Sequence, residues 1–152
     1  MILLDTDRLR VLRGEPSTRR TRLVTRLAAA GGETVGTTIV TVEEQMRGWL
    51  AAVAKERKAR RQVHPYGELA RLFEFFADYE IVRFDNAAAD LFDTFGAIHI
   101  GSLDRKIAAI AVVNDALLLT ANRRDYEQVP GLRFENWLDE PPAATEPPAP
   151  AE

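Results

Sequence analysis

A chain of 152 residues, 46% hydrophobic and 28% charged, has the length of one domain and enough apolar surface for a single core. It contains no cysteine, which excludes disulfides and thiolate metal sites and accords with a reducing cytoplasm. The net charge of -3 gives no global attraction for nucleic acid, so any basic surface must be local. No apolar run approaches the roughly 18 residues that span a bilayer. No secretory signal is expected, because only the short run Ile2–Leu4 precedes the first acid.

Residues 2–5 are apolar and end in acid, which predicts a buried strand carrying Asp5, Thr6 and Asp7 at its C-terminal end. A loop or short helix follows, broken around Gly14 and Pro16. Ser17 or Thr18 can cap a helix to about Ala30, with Leu23, Val24 and Leu27 inward and Arg19, Arg20, Arg22 and Arg26 outward. Gly31 and Gly32 stop it. The β-branched and small residues 34–40 predict a second strand, and Thr41 suits the N-cap of a long helix.

In that helix Val42, Met46, Trp49, Leu50 and Val53 repeat at helical spacing as an inward stripe. Glu44 points away from the stripe, with Gly48 one turn later on the same side. The helix is expected to run through the cations of residues 55–61 until His64 and Pro65 end it. A further amphipathic helix carries Leu69, Leu72, Phe73 and Phe76, and residues 80–84 predict a third strand. Asp85 should cap a helix over residues 86–95 with Leu91, Phe92 and Phe95 on the core.

After a connector, residues 101–115 predict a helix that begins around Asp104 and is apolar almost all round from Ile107 to Val113. A buried strand, Leu117–Leu119, then runs into Thr120, Asn122 and Asp125, and residues 132–137 predict a last short strand. Strands alternating with helices imply a three-layer α/β/α sandwich with a central parallel sheet. One domain is expected over residues 1–138. Residues 139–152 read as a flexible tail, which holds five of the eight prolines and no large apolar side chain.

The chemistry-bearing residues are Asp5, Glu44, Asp104 and Asp125, with Asp7 beside them and Thr6, Thr120 and Asn122 placed to hold them by hydrogen bonds. In an open α/β sheet, ligands bind outside the carboxyl ends of the strands, where Asp5, Asn122 and Asp125 are expected. Carboxylates sharing one rim repel, so they hold protons or recruit a hard cation such as Mg2+ or Mn2+. Each acid also has a plain reading, as a strand end, a helix cap or a solvated helix face. Their joint placement favours a site. His64 and His99 have no ligand partner at helical spacing, and neither a phosphate-binding glycine loop nor a serine elbow is present. The cations of residues 55–61 suit a solvated helix end or, like Arg105, Lys106, Arg123 and Arg124, a phosphate backbone.

The segments 4–7 (LDTD), 41–49 (TVEEQMRGW), 100–109 (IGSLDRKIAA) and 119–132 (LTANRRDYEQVPGL) resemble, in order, the motifs of PIN-domain ribonucleases of the VapC-like toxin group. The resemblance covers residues 1–138. It implies Mg2+- or Mn2+-dependent endonucleolytic cleavage of RNA, a cytoplasmic toxin of a type II toxin–antitoxin system, a cognate antitoxin protein and a homodimer. By this resemblance Asp5, Glu44, Asp104 and Asp125 correspond to the four metal-site acids, with Asn122 as companion to Asp125. The family spacing of a glutamate four residues before glycine selects Glu44 over Glu43. Tyr126 stands where the family more often has Phe, a difference of packing alone. Hydrolysis by activated water would leave a 3′-hydroxyl and a 5′-phosphate. Two rival readings remain. Segment 4–7 also resembles the Asp-x-Asp opening of haloacid-dehalogenase-type phosphatases, though Leu9 departs from that pattern and no later lysine motif is convincing. The same fold could instead serve as a non-catalytic module that binds RNA or protein.

Overall fold

The computed structural model describes residues 1–139. Five short strands, β1 (Ile2–Leu4), β2 (Val35–Thr38), β3 (Glu80–Val82), β4 (Leu117–Leu119) and β5 (Arg133–Glu135), form one sheet in the order β3-β2-β1-β4-β5. Every pairing is parallel. Helices α1 (Thr6–Arg13), α2 (Thr18–Ala29), α3 (Ile39–Lys55), α4 (Ala59–Phe76), α5 (Asn86–Thr94), α6 (Ser102–Val113) and the short α7 (Arg123–Tyr126) supply the crossovers. This is the α/β/α sandwich that the alternation of elements predicts, with all five expected strands present. The Pro/Ala-rich tail falls outside the described residues from Glu140 onward. No described helix is long and apolar enough to cross a membrane.

The two-residue period of a strand divides the core between two faces. Leu3 and Leu118 pack into a cluster with Ala88, Phe95 and the buried side of α6, Ile107 to Ala111. Ile2, Leu4 and Leu119 point the other way, against Leu9, Leu23, Val42, Leu72 and Phe76. Alanines at 108, 109 and 111 let α6 lie close against the sheet, which is why a helix apolar almost all round is buried there.

Several local expectations are corrected. The N-cap of α3 is Thr38, whose hydroxyl accepts from the Thr41 backbone N–H at 3.0 Å. The strand therefore ends before Ile39, because Thr38 can both finish the ladder and open the helix. Helix α3 stops at Lys55, where the Gln62 side chain donates to the carbonyls of Val53 (3.2 Å) and Glu56 (2.8 Å) and closes its C-terminus. The cations of residues 55–61 thus straddle a turn between two helices. Pro65 lies inside α4 rather than ending a helix. Its lost backbone bond is offset by burial of Pro65, Leu72 and Phe76 on one face.

Val24, Leu50 and Phe73 are exposed rather than inward, and Arg20 turns inward to donate from Nε to the Leu12 carbonyl at 2.9 Å. The caps Ser17 and Asp85 accept from Arg20 N–H (3.1 Å) and Ala88 N–H (2.9 Å) as expected.

At Gly36 the strands β2 and β3 approach so closely that a Cβ would stand 2.4 Å from the Glu80 carbonyl oxygen. Backbone cannot yield there without breaking the ladder. Gly36→Ala is expected to lower unfolding stability by about 2–3 kcal/mol in urea titration. An unchanged midpoint would mean that the two strands separate at little cost.

Candidate active site

Chain order runs from β1 outward to β2 and β3, then returns across β1 to β4 and β5. The reversal leaves a crevice at the carboxyl ends of β1 and β4, the topological switch point of an open α/β sheet. Asp5 follows β1 and Thr120 follows β4. The Thr120 hydroxyl donates to Asp5 Oδ2 at 2.8 Å, and Thr6 N–H donates to Asp5 Oδ1 at 2.7 Å. Asp5 is also the N-cap of α1, so one carboxylate binds the start of a helix to the neighbouring strand. Asp7, two residues on, accepts from the Ala121 N–H at 2.8 Å and ties the same two segments a second time.

The other acids come in from three helices. Thr6 Oγ1 donates to Glu44 Oε2 of α3 at 2.6 Å. Asp104, the third residue of α6, accepts at Oδ1 from the Tyr126 hydroxyl at 3.3 Å. Asp125 of α7 accepts at Oδ2 from the Asn122 side-chain amide at 2.9 Å, while Asn122 N–H donates to Thr120 Oγ1 at 3.1 Å. One hydrogen-bonded chain therefore runs from Asp125 through Asn122 and Thr120 to Asp5.

Electrostatics couple the acids across the crevice. Burial pushes the Asp5 carboxyl from its ordinary 3.8 up to about 6, the Thr120 hydroxyl pulls it back, and charge on Asp7 and Asp104 pushes it further. Burial also raises Asp104, with Glu44 and Asp125 adding like charge and Tyr126 opposing. Burial and the charges of Asp5, Asp104 and Glu44 raise Tyr126, so its hydroxyl keeps its proton and acts as a donor.

Tyr126 is the residue that sequence reasoning undervalued: its hydroxyl touches Asp104, so its difference from Phe is more than packing. The signal was present in that one departure from the family pattern. Arg8 was also missed. It is completely buried, with Nε 3.4 Å from Asp7 Oδ1. Of the cations considered for RNA, Arg105 lies 5.1 Å over the Phe92 ring and Lys106 5.7 Å over Phe84. Arg123 and Arg124 are exposed on α7.

All donors at the rim are oxygens, the set that suits a hard Mg2+ or Mn2+ ion. Raised, mutually repelling carboxyls also fit a site that gains from a cation. Among the described residues, no three His, Cys, Asp or Glu side chains are grouped closely enough in this conformation to hold a metal ion. The donor chemistry fits, then, without a preformed cage.

Set beside solved structures, the architecture is shared with toxin–antitoxin proteins. A chain in the structure of VapBC2 from Rickettsia felis bound to a DNA fragment from their promoter aligns with TM-score 0.68 and 23% identity, covering 90% of this chain and 99% of that one. VapBC-1 from nontypeable Haemophilus influenzae aligns with TM-score 0.70 and 17% identity, covering 91% and 100%. A toxin–antitoxin complex from Klebsiella pneumoniae aligns with TM-score 0.60 and 18% identity, covering 87% and 95%. No family model and no curated protein sequence matches the chain. What is shared at these identities is the fold, and it is the PIN-like fold that the VapC-like motifs imply.

The Asp5 carboxyl makes stability depend on pH. The unfolded chain releases this proton near pH 3.8 and the folded chain near 6, so the folded state binds more protons between them. Its contribution to stability is therefore lost as pH rises across that window, levelling at about 3 kcal/mol above it. Asp5→Asn is expected to match the parent in urea unfolding near pH 4 and to exceed it at pH 7.5. A variant no more stable at pH 7.5 would show that ionised Asp5 is well solvated.

Proposed function

We propose that this protein is a metal-dependent endoribonuclease and the toxin of a toxin–antitoxin pair. The observation that carries the reading is the meeting of Asp5 and Asp104, nearly a hundred residues apart in the chain, at the switch point of the sheet. There the charge of Asp104 adds to the cost of ionising Asp5, and Asp104 in turn feels the charges of Glu44 and Asp125. The shared fold supports it, since the solved proteins are described as toxin–antitoxin complexes or as VapBC. On that basis a cognate antitoxin is the expected partner, and the motif resemblance adds that it inhibits the site and that the toxin is a homodimer.

Asp5 and Asp104 would hold a Mg2+ or Mn2+ ion, with Glu44 and Asp125 completing its surroundings or orienting water. The bound ion would supply a Lewis acid for a phosphoryl oxygen and for the attacking water. The chain's own residues do the positioning. Thr120 and Thr6 fix the two oxygens of Asp5, Thr6 also fixes Glu44, and Tyr126 holds Asp104. Asn122 keeps Asp125 turned toward the crevice. Attack by an activated water needs no 2′-hydroxyl, so the products expected are a 3′-hydroxyl and a 5′-phosphate.

Single-stranded RNA should be cut by the purified protein in Mg2+ or Mn2+ and spared in EDTA. Asp104→Asn should abolish cutting, and Thr120→Val should reduce activity or metal affinity roughly 10- to 100-fold. The parent's melting temperature should rise with Mn2+ concentration, and that of Asp104→Asn should not. Full cleavage by Asp104→Asn, cyclic-phosphate products, or turnover of small phosphomonoesters with RNA untouched would each overturn the reading.

A further inference from the structure

The Thr6–Glu44 hydrogen bond that borders the acid rim is also the inner end of a groove between α1 and α3, closed on its far side by α4. The cavity has a volume of about 420 Å3 and is lined by Arg10, Arg13, Glu44, Gly48, Trp49 and Glu68 among others. Helical spacing explains the arrangement. Thr6, Arg10 and Arg13 lie along one face of α1, while Glu44 and Gly48 lie along the facing side of α3. The groove therefore leads away from the rim in steps of about 5.4 Å, one helical turn at a time.

Its walls differ in what they offer. Arg13 is engaged, 3.8 Å from Glu68 and 5.7 Å over the Phe75 ring. Arg10 is exposed, and its side chain makes no ion pair or hydrogen bond among the described residues. Trp49 is half-buried and meets His64 edge to face, with ring centroids 6.0 Å apart. At Gly48 a Cβ would meet nothing within 4 Å, so the glycine leaves the groove open beside the tryptophan.

We infer that this groove binds one nucleotide of single-stranded RNA beside the scissile phosphate, with its base against Trp49 and its phosphate at Arg10. The inference rests on the nuclease reading above and assigns the part of the substrate that the acids do not touch. An aromatic face next to an unpaired arginine is the combination that holds single strands with little sequence preference. The volume falls in the range of small-ligand pockets. A crevice between two helices admits a splayed base but not the broad minor groove of an RNA duplex. The net charge of -3 gives no global attraction for RNA, and a local stacking pocket supplies affinity that global charge does not. A protein segment is the less suited occupant, because the groove offers one large apolar side chain, Trp49, among Arg10, Arg13, Glu44 and Glu68.

The test uses the full chain carrying Asp104→Asn, which leaves the RNA intact, and Trp137→Phe, which leaves Trp49 as the single tryptophan of the two. Titration with a single-stranded RNA dodecamer in Mg2+ should quench its emission. Gly48→Leu should weaken binding roughly tenfold or more, with an unfolding midpoint at or above the parent's, since leucine is the better helix former. Arg10→Gln should weaken binding and flatten its salt dependence by roughly 0.7 in log–log slope. In protein with Asp104 intact, Gly48→Leu should raise KM for RNA hydrolysis while kcat changes little.

Cleavage of RNA by the parent, together with unquenched Trp49 and a KM indifferent to Gly48→Leu, would overturn the groove assignment and leave the nuclease reading standing. Quenching by an antitoxin-derived peptide and not by RNA would give the groove to a protein and overturn it equally. A parent that cuts no RNA in any divalent cation would refute the nuclease reading, and the groove assignment with it.

Discussion

Everything at the rim depends on where the two oxygens of Asp5 are held. An N-cap carboxylate ordinarily accepts from the second or third residue of its helix. Asp5 instead accepts from Thr6, the first, and its other oxygen reaches Thr120 on the neighbouring strand. That choice converts a local cap into a tie between β1 and β4. The same tie places Thr6 where its hydroxyl meets Glu44 and places Asn122, through Thr120, where its amide meets Asp125. Without the parallel pairing of Leu4 with Leu119, the two strand ends would not lie side by side and the chain of hydrogen bonds would have no anchor.

The sheet was legible because its strands are short apolar or β-branched runs bounded by polar residues, and because helices alternate with them. The helix ends were less so. Thr38 and Thr41 are both acceptable caps, and their hydroxyls lie 3.0 Å apart in the folded protein. Only the ladder from Thr38 to Val82 decides that the earlier one opens the helix. The break between α3 and α4 was unreadable for a similar reason. It is closed by the Gln62 side chain reaching back to Val53 and Glu56, a contact between segments that no periodicity announces. Pro65 looked like a stop because its local cost is real, yet burial of one face of α4 outweighs that cost. Leu50 and Phe73 fall on predicted apolar stripes and stay exposed because the stripe is wider than the surface it covers.

At the site the four acids could be named from strand ends, helix starts and motif order, whereas the contacts that organise them could not. Asp7 and Ala121 are 114 positions apart, as are the members of the Asp5–Thr120 pair within one residue, so both depend on sheet order rather than local pattern. Buried Arg8 is the least legible feature. A cation next to Asp5 and Asp7 reads as surface, but its guanidinium packs wholly inside, with Asp7 as its ionic partner. Only the arginine of this pair is buried, Asp7 being partly exposed. Asp7 itself is tied to the loop that leads from Thr120 to Asn122 by the Ala121 N–H.

Two helix N-termini meet at the rim, α1 behind Asp5 and α6 at Asp104, and each favours the ionised form of its acid by about 0.3–1 kcal/mol. Burial acts in the opposite sense and is the larger effect, since both carboxyls are raised rather than lowered. Nor does Tyr126 cancel it, although its hydroxyl opposes the shift at Asp104. The rim therefore keeps negative charge in surroundings that disfavour it, at a cost in stability that apolar packing around α6 and β4 has to offset. Low polarity works in both directions: it makes the unpaired charge costly and makes any positive charge that enters the crevice count for more. The same two acids at an open surface would be cheaper to ionise, so burial of Asp5 and Asp104 is both the cost of this rim and the feature on which the proposed cation site depends.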